Sequence, residues 1–514
     1  VKHINYWADE VAEKLIARNK EKYTLCTGIT PSGPYHIGYL REMIITDAVK
    51  RALEERGAKV RFIYFVDDLD NLRKLYPFLP ESFEKYVHCP ISKIPAPDGS
   101  SVSYGDYFLK PFKVALKDLG IEPEFVYAHD FYESGQMTEQ VSTALENRDT
   151  IAEILTRVSK RELPEGWHPF EPLDETTGRI RGAQITSTEI IHHRVEYEAQ
   201  DGSRKWADYS KGQGKLPWRV DWPARWAKLG VDFEPFGKDH AVAGGSYDVG
   251  REIVKKIYKC DAPEYVVYEH IYLKGEAKKM SASLGNLVSL DQFLSIVPPE
   301  VARYFALRSR NDRHLVFDPS LGLMQLTDEF ARLEEDVVKG EADLTKQAIH
   351  RYSQISNRRV MVKVPFSHLV TVYQATQGDF EEIKRLLMHT GHIAAVESEK
   401  DLKAQIEKVA NWLKLYAPED LKFEVQKIAP QVELSAQQKK MLQTISSAVE
   451  EGQKDIDLHN SIYEAGKAEG LLPRDTFKTI YRIFLNKESG PKAGFFLTLL
   501  EKDFVIERLR NYIK

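Results

Sequence analysis

The run YTLCTGI, Tyr23 to Ile29, is short, apolar and bounded by turn residues, which predicts a buried strand. The loop TPSGPYHIGY follows, punctuated by Pro31, Gly33, Pro34 and Gly38. In LREMIITDAVKRALEERG the residues Leu40, Ile44, Ala48, Ala52 and Leu53 share one helical face, and Gly57 is placed to end the helix. KVRFIYFV, Lys59 to Val66, is a second strand-like run leading into Asp67, Asp68 and Asp70. Strand, loop, helix and strand over this distance make a βαβ unit. Such a unit requires a parallel sheet covered by helices, so the expected fold class is α/β.

The 514 residues suffice for about three domains at roughly 150 residues each. From about Cys89 to Lys215 the pattern is less regular, with loops such as PISKIPAPDGS and a polar, Gly-rich stretch, VEYEAQDGSRKWADYSKGQGKLP, that reads as an insertion between halves of a sheet. A strand ending near Phe236, a loop with Gly244 and Gly245, a helix through REIVKKIY and the run EYVVYEHIYL restore the α/β pattern. The loop KGEAKKMSASLGN comes next. Beyond about Pro299 helical periodicity dominates, and an all-helical region is expected over 346–514.

Apolar residues at 42% and charged residues at 29% fit a folded chain with a large core. No apolar run approaches the roughly 18 residues of a membrane helix. Lys and Arg total 72 against 77 Asp and Glu, a net charge of -5, which excludes a wholesale polybasic binder but leaves room for a local basic face. Cys26, Cys89 and Cys260 are odd in number and far apart, so neither a disulfide framework nor a CxxC zinc pair is expected. VKHINYWADEVAEKL lacks the apolar segment of a secretory signal. The expected setting is cytoplasmic.

Two loops can carry chemistry. The first feeds a helix start beyond the carboxyl end of a strand, where open parallel sheets bind ligands and free amides attract phosphate. Gly38 allows close backbone approach, and His36 can donate to an oxygen on which charge builds up. In the second, KKMSASLGN, Lys278 or Lys279 can close over a polyphosphate. Taken singly, each is also an ordinary turn with surface side chains.

Together, HIGY and KMSAS, some 240 residues apart, resemble the two signature sequences of the class I aminoacyl-tRNA synthetases. The likeness extends through TGITPSGPYHIGYLRE, FVDDLDNLRK, GKLPWRVDWPARW, GKDHAVAGGSYD and SGPKAGFFLTLLEKDFVIERL, and over the whole chain it is similar to the lysyl branch common in archaea and some bacteria. The resemblance implies a Rossmann-type parallel-sheet core split by an insertion and followed by an all-α anticodon-binding domain. It divides the chain into core (1–92), connective insertion (93–205), second half of the core (206–275), signature-loop and stem-contact region (276–345) and helical anticodon-binding domain (346–514).

The implied reaction joins L-lysine to ATP as lysyl-adenylate and then transfers lysine to the terminal adenosine of tRNA(Lys). The implied catalytic residues are His36 and Lys279. ATP would lie against Pro31, Ser32, His36, Gly38, Gly237, Asp239, Lys278, Lys279, Met280, Ser281 and Ser283, with Mg2+ accompanying it. Two positions depart from the family pattern: Tyr39 replaces the usual last histidine of the first signature, and Ala282 replaces the second lysine of the other. Archaeal relatives often carry cysteine pairs in the insertion, whereas VEYEAQDGSRKWAD has none, so no structural zinc is expected.

Glutamyl enzymes, which share this architecture, place an arginine about five residues before the first-loop proline. Cys26 stands there, with no cation in LCTGIT, and an acidic substrate would bury an unpaired charge. Lysine needs a carboxylate for its ammonium, apolar walls for its stem and polar contacts for its α-groups. The candidates are Gly28, Thr30, Asp67, Asp68, Trp218, His240 and Tyr268, with the choice of carboxylate open. Each Asp also fits a solvated acidic turn, and Trp218, Trp222 and Trp226, spaced by four, also fit a packed helical face. Tyr352 and Trp412 read as core rather than anticodon readers. A nucleotidylyltransferase would leave the large helical tail unexplained, and a non-catalytic RNA-binding relative would be expected to lose His36 or the signature lysine.

Overall fold

The computed structural model describes residues 6–180, 183–276, 288–355, 364–389 and 399–513. After α1 (Trp7–Ile16), strand β1 (Lys22–Ile29), helix α2 (Ile37–Glu55) and strand β2 (Lys59–Val66) form the βαβ unit expected from the sequence. β1 and β2 pair in parallel, from Lys22 against Lys59 to Ile29 against Val66. At the Gly28–Phe65 pair the chains approach so closely that a Cβ on Gly28 would sit 2.3 Å from the Phe65 carbonyl oxygen. Only glycine fits there. His36 caps α2, its side chain accepting from the Gly38 amide, and Gly57, at φ +80°, follows the helix end.

Helix α3 (Tyr104–Asp118) leads to β3 (Glu124–Tyr127), which pairs in parallel with β2 and gives the order β1–β2–β3. This third strand falls in the stretch expected to be insertion. It has four residues, none fully buried, and so gives almost no periodic signal. Helices α4 (Ala128–Glu133), α5 (Thr138–Glu146) and α6 (Arg148–Ser159) follow, then the short β4 (Glu171–Pro172). Strands β5 (Gln184–Glu189), β6 (Arg194–Glu198) and β7 (Arg204–Asp208) form an antiparallel sheet within the polar region.

The chain returns through β8 (Gly214–Lys215) and α7 (Trp218–Leu229) to β9 (Phe236–Gly237), then α8 (Lys238–Ala241), α9 (Ser246–Lys256) and β10 (Val267–Tyr268), which pairs in parallel with β9. Just before β9, Phe233 bridges Leu25 of β1 and Glu264, both in parallel, so the second half extends the first sheet. β11 (Ile271–Leu273), α10 (Leu290–Ile296), α11 (Pro299–Leu307), β12 (Leu315–Phe317), α12 (Leu321–Lys339) and α13 (Leu344–Ser353) complete this part of the chain.

Two compact units result. One comprises Val1–Leu294, Pro299–Phe317 and Gly340–Arg359; the other comprises Ser295–Pro298, Asp318–Lys339 and Val360–Lys514. Helix α13, which stands at the start of the region expected to be helical from 346, groups with the first unit, and α12, which precedes that region, groups with the second. Arg303 of α11 explains the placement of α13. Fully buried, it donates to the Tyr352 carbonyl at 2.7 and 3.0 Å, to the Leu119 carbonyl at 3.3 Å and to Asp47 of α2 at 2.6 Å. The Tyr352 hydroxyl donates to Asp9 at 2.8 Å.

The second unit holds α14 (Phe366–Ala375), α15 (Phe380–His389), α16 (Glu399–Leu415), α17 (Ala436–Glu450), α18 (Asp455–Ala468), α19 (Pro473–Leu485), α20 (Ala493–Leu499) and α21 (Lys502–Ile513). Helix α17 starts with a capping box between Ser435 and Gln438 and packs on α18 and α21. Trp412 is fully buried against Phe366, and its indole N–H donates to the Pro319 carbonyl at 2.8 Å. Tyr352 and Trp412 are thus both core residues. No described helix is long and apolar enough to cross a membrane.

Arg303→Met removes the guanidinium that donates to the buried Tyr352 and Leu119 carbonyls. It is expected to cost about 3–5 kcal/mol, read as a lower urea midpoint for the first unit, with the second unit's transition unmoved.

Candidate active site

The carboxyl ends of β1 and β2, the starts of α2 and α7 and the turn from β9 into α8 surround a cavity of about 1180 Å³. Such a crevice is where an open parallel sheet binds ligands. At the α2 end, the Gly38 amide donates to His36 Nδ1 at 3.1 Å, and a Cβ at Gly38 would strike the imidazole at 2.7 Å. The His36 ring packs on Tyr39, with centroids 4.4 Å apart. Burial raises the Tyr39 phenol to about 12, so the residue replacing the usual histidine stays neutral at physiological pH. Ser32, His36 and Gly38 line the cavity, as do Gly237 and Asp239 across it. Asp239 is 3.3 Å from His270 Nε2. Pro31 is buried beside Gly105 and is not part of the lining. Lys278, Lys279, Met280, Ser281 and Ser283 lie outside the described residues.

The other end of the cavity is acidic and aromatic. Gly28, Thr30, Asp67, Trp218, His240 and Tyr268 line it. The ring of Trp218 stacks on Trp222 at 5.1 Å, and His240 lies 5.9 and 5.7 Å from these two rings. Trp222 and Trp226 are buried, whereas Trp218 is partly open to the cavity.

The two aspartates after β2 serve internal cations. Asp67 lies 2.9 Å from Lys215 Nζ and 3.6 Å from Arg225. Asp68 accepts from the His129 backbone N–H at 3.1 Å and pairs with the His129 ring, and it is not part of the lining. Lys215, fully buried, also reaches Asp70 at 3.2 Å, and Asp70 accepts from the Thr30 hydroxyl at 2.9 Å. Burial works against the Lys215 charge, but Asp67 and Asp70 outweigh it and hold its pKa above the ordinary value. Burial would raise Asp70 too, yet Lys215 and Arg73 leave that carboxyl at about 2. Neither Asp67 nor Asp70 is a spare carboxylate.

Two glutamates that sequence reasoning did not single out have no such partner. Glu42 of α2 accepts from the Tyr268 hydroxyl, and Glu234 accepts from the Trp226 indole N–H at 2.6 Å. Both line the cavity, and neither forms an ion pair among the described residues. Burial raises Glu42 to about 8, the Tyr268 hydroxyl opposes this, and Glu234 adds to it. Burial also raises Glu234, against the pull of Arg225. A signal for Glu42 exists in hindsight: α2 is buried around most of its circumference, and an acid on such a helix must face something polar. The cavity bottom therefore offers acceptors, a phenol and aromatic walls, with Cys26 beside them. That is the environment of a cation with an apolar stem.

A family model described as tRNA synthetases class I (K) matches residues 5–358. The chain belongs to this family. Similar proteins are named lysine–tRNA ligase: that of Methanosarcina barkeri is 41% identical over 533 residues, covering 98% of this chain and 97% of that protein. The one from Archaeoglobus fulgidus is 38% identical over 506 residues (98% and 99%), and the one from Pyrococcus horikoshii 36% over 521 residues (98% and 99%). Membership of the class I tRNA synthetases agrees with the βαβ core and with the loop from Thr30 to His36 that opens α2.

Lys215→Met leaves buried Asp67 and half-buried Asp70 without their shared ammonium. A loss of about 3–5 kcal/mol is expected, measured by equilibrium denaturation. Restoring charge balance with Asp70→Asn in the same chain should recover part of it.

Proposed function

We propose that this protein is a lysine–tRNA ligase that activates L-lysine with ATP and passes it to tRNA(Lys). The observation that carries this reading is the acidic end of the cavity, where Glu42 lies half-buried, accepts from the Tyr268 phenol and forms no ion pair among the described residues. The full-length relatives named lysine–tRNA ligase support it. In this arrangement the lysine ammonium takes the place facing Glu42 and Tyr268, and its methylene stem lies along the aromatic wall. Gly28, Thr30, Trp218 and His240 surround its α-groups. Asp67 acts indirectly, by holding Lys215 and Arg225. Glutamate is rejected because its carboxylate would meet two acids, and Cys26 supplies no cation.

In the first step a lysine carboxylate oxygen attacks the α-phosphorus of ATP. The α–β bridging P–O bond breaks, and pyrophosphate leaves with the electron pair. His36 at the start of α2 donates a hydrogen bond to phosphate oxygens as charge shifts onto them, and Gly38 lets the backbone approach. Gly237 and Asp239 face the adenosine. Lys279, with Lys278 beside it, completes charge stabilisation from the second signature loop. Mg2+ would arrive bound to the triphosphate and offset its charge. In the second step the terminal adenosine 2′-hydroxyl attacks the mixed anhydride, and AMP leaves. The helical second unit, most of which lies beyond the family match, is assigned to the anticodon.

Lysine-dependent ATP–pyrophosphate exchange tests this reading: folded, ATP-binding protein that exchanges with glutamate, or not at all with lysine, would sink it. His36→Ala is expected to slow exchange by about 100-fold with the lysine KM changed less than threefold. The pH dependence follows from Glu42. Its raised pKa leaves it mostly protonated in the free protein below pH 8, and lysine needs it ionised. The lysine KM should therefore fall by up to about tenfold per pH unit from pH 6 to 8 and level off above. In Glu42→Gln the slope disappears and the KM rises roughly 30-fold or more.

A further inference from the structure

Arg41 precedes Glu42 on α2 and is fully buried, yet it forms no ion pair among the described residues. Its guanidinium donates to backbone. Nη1 donates to the Glu269 carbonyl, and Nη2 lies 3.0 Å from the Arg313 carbonyl, 3.3 Å from that of Asn311 and 3.4 Å from that of Arg310. The Glu269 carboxylate pairs instead with Lys238 at 2.7 Å. Burial pulls the Arg41 guanidinium down to about 10, against the influence of Tyr268 and Glu269, so it is still charged at neutral pH. Burying a cation with no counter-charge is costly, and an apolar side chain would fill the same space without that cost. What the guanidinium adds is a rigid fork that holds two segments of chain at once.

Those two segments open the parallel pair β11–β12. Glu269 stands two residues before Ile271 of β11, and Arg313 two residues before Leu315 of β12. They are also tied to each other: the Glu269 amide donates to the Asn311 carbonyl at 3.0 Å, and the Leu315 amide to the His270 carbonyl at 3.0 Å. Tyr268, Glu269, His270 and Ile271 line the cavity. Helix α8 rests on the same stretch, through Lys238 on Glu269 and Asp239 on His270.

Two successive residues of α2 therefore grip two successive residues of the facing wall. Glu42 takes the Tyr268 hydroxyl, and Arg41 takes the Glu269 backbone. The first grip matters for charge, because the Tyr268 hydroxyl lowers the Glu42 carboxyl against the effect of burial. A phenol at the end of a rotatable side chain does not fix the separation of the two walls. Hydrogen bonds from a buried fork to backbone do.

We propose that Arg41 is a positioning residue for lysine activation, holding residues 268–270 at a set distance from α2 so that the Tyr268 hydroxyl reaches Glu42, without itself touching substrate. The inference rests on the reading of Glu42 and Tyr268 as the ammonium site. Its sign follows from Glu42. A loosened Tyr268 no longer opposes burial, so Glu42 ionises at higher pH and the lysine KM levels off at higher pH.

The experiment measures lysine-dependent ATP–pyrophosphate exchange by the full-length chain carrying Arg41→Lys, which keeps the charge but not the fork, from about pH 6 to 10. The expected result is an upward shift of about one unit in the pH at which the lysine KM levels off, and a lysine KM about tenfold higher below it. Most of that loss should be recovered above the new plateau. Tyr268→Phe should give the same shift, and adding Arg41→Lys to it should change little further, since the two act through one bond. The proposal is overturned if Arg41→Lys leaves the plateau where it was, or raises the lysine KM equally at every pH, as general loosening would. It is overturned equally if the Arg41→Lys effect persists in full on top of Tyr268→Phe. Should Arg41→Lys not fold, Arg41→Gln, with two amide donors, is read on the same terms. Absence of lysine-dependent exchange in the parent protein would instead remove the aminoacylation reading, and this proposal with it.

Discussion

The buried ammonium of Lys215 joins the two halves of the catalytic core. It enters from the end of β8 and contacts Asp67 and Asp70, which follow β2. Through Asp70 it fixes the Thr30 hydroxyl in the first loop, and through Asp67 it shares charge with Arg225 on α7. Arg225 in turn lies over the rings of Phe65 and Trp218. One side chain thus sets the relation between the loop that opens α2 and the helix that carries the aromatic wall. A hydrophobic residue there would pack as well but would leave Asp67 with Arg225 and Asp70 with Arg73 as their remaining cations, and the link between the two carboxylates would be lost.

This network also determines which acids can meet a ligand. Asp67, Asp68 and Asp70 are conspicuous in the sequence, standing where a parallel sheet presents its ligands, yet all three face internal partners. Glu42 and Glu234 stand inside apolar context, one on a helix and one before a two-residue strand, and they line the cavity without an ion pair among the described residues, whereas Asp67 and Asp70 line it already paired. Among the described residues, the paired aspartates hold the scaffold, and the two glutamates that form no ion pair stand where a cation can arrive.

How much of this was legible beforehand depends on the range of the interaction. The βαβ unit could be read from Tyr23 to Val66 because period, loop punctuation and the terminating Gly57 are all local. The signature around His36 could be read for the same reason. The strand Glu124–Tyr127 could not, because its four residues, one exposed and three half-buried, become a strand only by pairing with β2. The place of α13 in the first unit depends on Arg303, about 50 residues earlier, bonding the Tyr352 carbonyl. Glu42 was missed because its meaning lies in Tyr268, more than 200 residues away. Local order carries its own signal, whereas partners distant in the chain leave none in a single sequence.

The hydrogen bond from the Gly38 amide to His36 has a further result. A neutral imidazole that accepts at Nδ1 must carry its proton on Nε2. The cap that starts α2 therefore also selects the tautomer, and it does so with a backbone group that cannot itself gain or lose a proton. Helix initiation and the polarity of the ring are a single structural decision, so the direction in which His36 offers its proton is settled when the helix forms, before any nucleotide arrives.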